Sequence, residues 1–143
     1  MNPSRILPDL QCSLLCQDVR QEVSGNFILI GVLSAVRVPQ LPVAAFLFLF
    51  NRWTAGFGDF HEAVRLVAPD QTTVLRQGEM KFLLQDVTHN ATTVTVWGQV
   101  KFDVAGAYYV EVLVDDVMKL RFPVVITVVP PSQTSEGETR TGP

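Results

Sequence analysis

The chain has 143 residues, enough for one domain whose core needs no covalent staples. Apolar residues make up 48% and charged residues 17%, against roughly 25% charged in an average soluble domain, so few charges are available to coat the surface. Net charge is −3, and the lysines and arginines scatter from Arg5 to Arg140 without a cluster. That excludes the positive patch a nucleic-acid binder needs.

Residues 1–9 read as a loose lead-in to a domain over 10–129. The first segment, 10–23, has two readings. Cys12, Leu15, Cys16, Val19 and Val23 are spaced by threes and fours, as on a helix stripe. The rival is a strand over 10–16 followed by a polar turn at Gln17-Asp18-Val19-Arg20. The strand is favoured because everything downstream reads as β, and fold classes tend to be uniform. On a strand the two thiols lie about 13 Å apart, too far for a disulfide. Free thiols and the lack of an apolar leader with a small-residue cleavage site predict a cytoplasmic protein.

Gly25-Asn26 is a turn signal, and Phe27-Ile28-Leu29-Ile30-Gly31-Val32-Leu33 is an apolar, β-branched strand. Pro39 and Pro42 force an extended link. Residues 43–50, VAAFLFLF, are apolar on both parities. Their run of about eight is far short of the ~20 a membrane helix needs. A loop carries Gly56-Phe57-Gly58, too short for a phosphate cradle. Residues 60–68 alternate, with Glu62, Val64 and Leu66 on one face and His61, Ala63 and Arg65 on the other. Pro69-Asp70 turns the chain, and a short strand over 79–84 precedes the loop at 86–92.

From Thr92 the rows are read residue by residue. Val94, Val96, Gly98, Val100, Phe102 and Val104 form a dry face against Thr93, Thr95, Trp97, Gln99, Lys101 and Asp103. Tyr108, Val110, Val112 and Val114 continue inward. After the Asp115-Asp116 turn, Leu120, Phe122, Val124, Ile126 and Val128 form a third row. The fold class is all-β: a two-sheet antiparallel immunoglobulin-like sandwich of seven to eight strands. Gly106-Ala107-Tyr108-Tyr109-Val110 resembles the tyrosine corner of that fold, with Tyr108 capping a nearby backbone group. No cysteine pair bridges the sheets.

Leu15-Cys16-Gln17-Asp18-Val19-Arg20, Gly25-Asn26, Leu29-Ile30-Gly31-Val32, Val38-Pro39, Leu66-Val67-Ala68-Pro69-Asp70, Gly106-Ala107-Tyr108 and Phe122-Pro123-Val124 together resemble a family of short bacterial proteins of unknown function. The resemblance spans about residues 10–129. It implies a β-sandwich of bacterial origin and supplies no catalytic residue.

No motif for chemistry emerges. His61 and Glu62 point to opposite strand faces, and Asp86 with His89 reads as a solvated loop. Cys12 and Cys16 with one histidine form too loose a zinc set, and read as small buried residues. No serine sits in a nucleophile elbow. The expectation is no enzyme, no cofactor and no metal. Function is read as protein contact, beginning with a homodimer, because a sandwich strand apolar on both faces needs a second cover. Either Phe46, Phe48 and Phe50 fill the core and Leu47 and Leu49 face out, or the reverse. The interface candidates are Leu47, Leu49, Tyr109, Leu113 and Val125. The alternative is a carbohydrate or small-ligand module using outward aromatics, with Trp97 as platform.

Residues 130–143, PPSQTSEGETRTGP, read as a disordered tail, since they hold nothing large and apolar to bury. A chain stopped at Val129 is expected to melt within about 4 °C of the full chain, the equivalent of at most ~1 kcal/mol. A larger drop in a thermal scan would mean that the tail packs.

Overall fold

A computed structural model describes residues 5–130 as nine strands. They are β1 (Asp9–Gln21), β2 (Phe27–Val32), β3 (Ala35–Val38), β4 (Val43–Thr54), β5 (Gly58–Val67), β6 (Val74–Leu84), β7 (Asn90–Phe102), β8 (Gly106–Val114) and β9 (Val117–Val128). One sheet has the order β2-β1-β4-β7 and the other β3-β9-β8-β5-β6. All pairings are antiparallel except β3 with β9. The all-β, two-sheet immunoglobulin-like sandwich is therefore as expected, with nine strands instead of seven or eight. The uncounted strand is β3, four residues that cross from the end of β2 to the other sheet ahead of a cis Leu41–Pro42 bond.

The first segment is a strand, and it runs on to Gln21. The turn expected at 17–20 lies instead at Val23-Ser24-Gly25, where Glu22 N donates to Asn26 O (2.7 Å) and Gly25 N to Glu22 O (2.8 Å). Gly25 has φ 100°, the left-handed region that such three-residue loops require. β1 and β2 thus form a long two-stranded arm. By register Phe27 lies opposite Gln21 and Phe50 opposite Leu14, seven rungs apart along β1, or about 23 Å in a straight strand. Their rings are nonetheless 5.5 Å apart, edge to face, so the arm coils back over the outside of its own sheet.

The inward rows of β8 and β5 stand as read. Tyr108, Val110, Val112 and Val114 are buried, as are Glu62, Val64 and Leu66. On β9 the row holds at Val124 and Ile126, while Leu120 and Val128 are exposed at the rims. The Tyr108 hydroxyl donates to Val104 O at 2.6 Å, completing the tyrosine corner. Asp115 and Asp116, at φ 47° and 67°, make the β8–β9 hairpin turn.

β7 departs from the expected row. Ala45 pairs with Val100 but Leu47 with Trp97, so Phe46 alone faces both Gly98 and Gln99. This bulge, with Gln99 at φ 54°, inverts the faces upstream of it. Val100 and Phe102 point inward as expected. Before the bulge Thr93 and Trp97 are the buried residues, and Val96 is exposed.

The lead-in is tied down from Arg5 onward. Ile6 and Phe57 exchange backbone bonds of 3.0 Å. Arg5 lies 4.7 Å over the Phe60 ring, donates to Asp59 O at 2.7 Å and pairs with Asp115. Residues 131–143, and with them nearly all of the expected tail, lie outside the described residues. The Arg5 guanidinium holds the Asp115 carboxyl below its ordinary pKa, helped by the bond from His61 N and opposed by partial burial. A depressed carboxylate stabilises the fold above its unfolded pKa, and that contribution fades as pH falls through the folded value. The melting-temperature gap between wild type and Arg5→Ala is therefore expected to be widest at pH 6 and to narrow from about pH 4 downward. A gap that is flat between pH 6 and pH 2 would remove Asp115 from the account.

Candidate functional site

The two outer faces of the sandwich differ in chemistry. On the five-stranded sheet one rung runs Gln77, Arg65, Glu111, Arg121. Glu111 accepts from Arg65 Nε at 3.0 Å and from Arg121 Nε at 3.2 Å, a wet and charged surface. On the four-stranded sheet the corresponding rung is Val32, Cys16, Phe48, Val96. Beside it runs Leu14, Phe50, Val94, then Cys12, Arg52, Thr92. No charge interrupts the first two rungs.

Part of this apolar face is covered from within. Cys16 and Phe50 point outward by parity yet are buried, beneath the arm that brings Phe27 to Phe50. Burial pushes the Cys16 thiol above its ordinary pKa, with a smaller push from Cys12. The rest stays open. Phe46 is 55% exposed, Val32 and Val96 are each 53% exposed, and Ile28 and Ile30 of the arm are also exposed. Phe46 packs against the bulge because Gly98 has no side chain: a Cβ there would meet the ring at 3.1 Å.

The expected site residues are placed differently. Leu47 and Leu49 are in the core, since β4 takes the reverse of the two parities, with its phenylalanines outward. Trp97 is 3% exposed, turned inward by the bulge, and offers no platform. Tyr109 lies under the Arg121 guanidinium, 3.9 Å from its ring centre. Leu113 is 8% exposed and Val125 is exposed, and both lie with Tyr109 on the five-stranded sheet, not on the sheet of β4. The five interface candidates therefore do not share one surface. The open residues Val32, Phe46 and Val96 were readable only in part. The alternative parity for β4 pointed to Phe46, and Gly98 within an alternating run is the signal of a bulge.

Between the sheets lies a polar cluster that strand parity alone does not announce. Ser13, Asn51 and Thr93 share an inward rung of the four-stranded sheet, opposite Glu62 of β5. Glu62 is 1% exposed, and its Oε1 accepts from Trp53 Nε1 (2.7 Å), Thr93 Oγ1 (2.6 Å) and Asn51 Nδ2 (3.3 Å). Its neighbour His61 points out and meets Glu79 at 3.1 Å, so imidazole and buried carboxylate are on opposite faces. An open hollow of about 680 Å³ is lined by His61 with Asp59, Phe60, Lys81, Phe82, Leu83 and Asp115, with mixed charges and no serine, threonine or cysteine. Among the described residues no three His, Cys, Asp or Glu side chains are grouped to hold a metal. Among them no helix is long and apolar enough to span a membrane, which says nothing of strands.

Residues 11–127 match the model of a protein family described as being of unknown function. The chain belongs to a family of unknown function, DUF6941. This bears out the resemblance read from the short motifs. No curated protein matches the DUF6941 chain. Among solved structures it is similar to the CARDB domain of the PF1109 protein from Pyrococcus furiosus, determined in complex with di-metal ions. Identity is 14%, the TM-score is 0.43, and the match covers 85% of this chain and 96% of that one.

The Glu62 cluster yields a direct test. Thr93→Val keeps the shape and removes one donor from a buried carboxylate, so it is expected to cost about 1.5–3 kcal/mol in urea unfolding. A cost under about 0.5 kcal/mol, the level of an ordinary surface change, would show that the bond is not made.

Proposed function

We propose that this DUF6941 protein is a non-enzymatic contact domain whose working surface is the outer side of the four-stranded sheet, and whose first partner is a second copy of itself. The observation that carries the reading is the contrast between outer faces: Arg65–Glu111–Arg121 on one, Val32–Cys16–Phe48–Val96 on the other. An open apolar surface of this kind is abnormal on a monomer. The coiled arm covers its middle and leaves Phe46, Val32, Val96, Ile28 and Ile30 for an outside molecule. Phe46 supplies the aromatic anchor that such contacts favour. A two-fold pair uses the same patch twice, and about 800 Å² per copy makes an ordinary specific interface. The free thiols Cys12 and Cys16 support a reducing, cytoplasmic setting. The ligand-platform alternative loses its support with Trp97 buried and Tyr109 covered.

Light scattering at micromolar concentration tests the reading. Wild type is expected at dimer mass and Phe46→Glu at monomer mass, with its β-sheet circular dichroism retained because position 46 is open to solvent. A monomeric wild type ends the proposal. A Phe46→Glu variant that stays dimeric moves the contact to another surface.

A further inference from the structure

We infer that the two copies meet by pairing their β2 strands edge to edge, antiparallel about Leu29. This deepens the self-association reading and rests on it. The edge strands of a sheet carry unpaired backbone groups, and proteins usually blunt them with charge, proline, brevity or a covering element. Three of the four edges here are blunted. β7 has its bulge carbonyls taken by Arg76 of β6, at 2.6 Å to Gly98 O and 2.9 Å to Gln99 O. β6 itself exposes Gln77, Glu79 and Lys81. β3 is four residues long, with Pro39 and Pro42 just beyond it.

β2 has none of these devices between Phe27 and Ile30, and its one irregularity is Gly31, at φ 65°. Its sequence, FILIGV, holds no charge and no proline. The Glu22 N to Asn26 O bond sets the phase of the ladder: the pairs Arg20 with Ile28 and Asp18 with Ile30 exchange bonds with β1. Phe27 and Leu29, opposite Gln21 and Val19, therefore turn their N–H and C=O groups away from β1, toward the free edge.

A second copy fits that edge. Pairing about Leu29 sets Leu29 against Leu29 with two symmetric bonds, and Ile28 against Ile30 of the other copy on the face that is already exposed. Across four strands the rung then reads Arg20, Ile28, Ile30, Asp18, and its two-fold mate reads the reverse. Opposite charges share each rung and no like charges are opposed. The same strand thereby extends the apolar patch of the contact surface.

Amide hydrogen exchange on the full chain tests this without any substitution. At a concentration where light scattering gives a dimer, the Phe27 and Leu29 amides are expected to exchange at least about tenfold more slowly than at a dilution where it gives a monomer, since each gains a hydrogen bond. Leu29→Pro removes the N–H aimed at the free edge and none that bonds to β1, and is expected to weaken the dimer about tenfold or more, two symmetric bonds being lost. A dimer that Phe46→Glu splits, but whose Phe27 and Leu29 amides exchange as in the monomer, overturns the edge pairing and leaves self-association standing. A wild type that is monomeric overturns both. Should Leu29→Pro fail to fold, the exchange rates of the wild type decide alone.

Discussion

A β-strand that is apolar on both faces has to be covered twice, and β4 imposes that demand on everything around it. Its inward residues Leu47, Leu49 and Trp53 are met by the opposite sheet, as in any sandwich. Its outward phenylalanines need a cover that sandwich architecture does not provide. The chain answers in part by prolonging β1 and β2 beyond the sheet and coiling them back, so that Phe27 meets Phe50. Phe48 is half-covered and Phe46 is left open. The length of the arm, the burial of Cys16 and the exposed rim of apolar residues are three results of the one sequence choice at 46–50.

The parts of the fold that sequence made readable are those governed by strict alternation. β8 and β5 have no irregularity within their inward rows, and each expected core residue there is buried. Alternation fails where a residue is inserted without disturbing composition. The bulge at Gly98-Gln99 leaves the run of valines looking regular while reversing the half that contains Trp97. β4 presented the opposite difficulty: with both parities apolar, alternation held no information, and only the packed partner decides which row is inside. The arm was hidden for a third reason. Polar residues at 17–20 read locally as a turn, yet a two-stranded ribbon in solvent tolerates them as strand.

The Glu62 cluster was invisible for a reason of distance along the chain. Its donors come from Asn51, Trp53 and Thr93, on two strands of the other sheet. Hydrophobic packing between sheets is tolerant of small slides, whereas three donors converge on Glu62 Oε1 in one alignment only, each costly to lose, while Oε2 has no partner. The cluster therefore acts as a latch that fixes how one sheet lies over the other. It also explains why an acid alternates with Val64 and Leu66 on an inward face.

The same arrangement gives Cys16 a use as a clock. Its thiol is wholly enclosed, and its ionisation is suppressed by burial, so a thiol-directed reagent finds nothing to attack while the arm is down. Cys12, partly exposed four residues earlier, is open to the reagent whether the arm is up or down. The interval between the two reactions measures how often a two-stranded ribbon lifts from the sheet that it covers, one molecule carrying both its stopwatch and its reference.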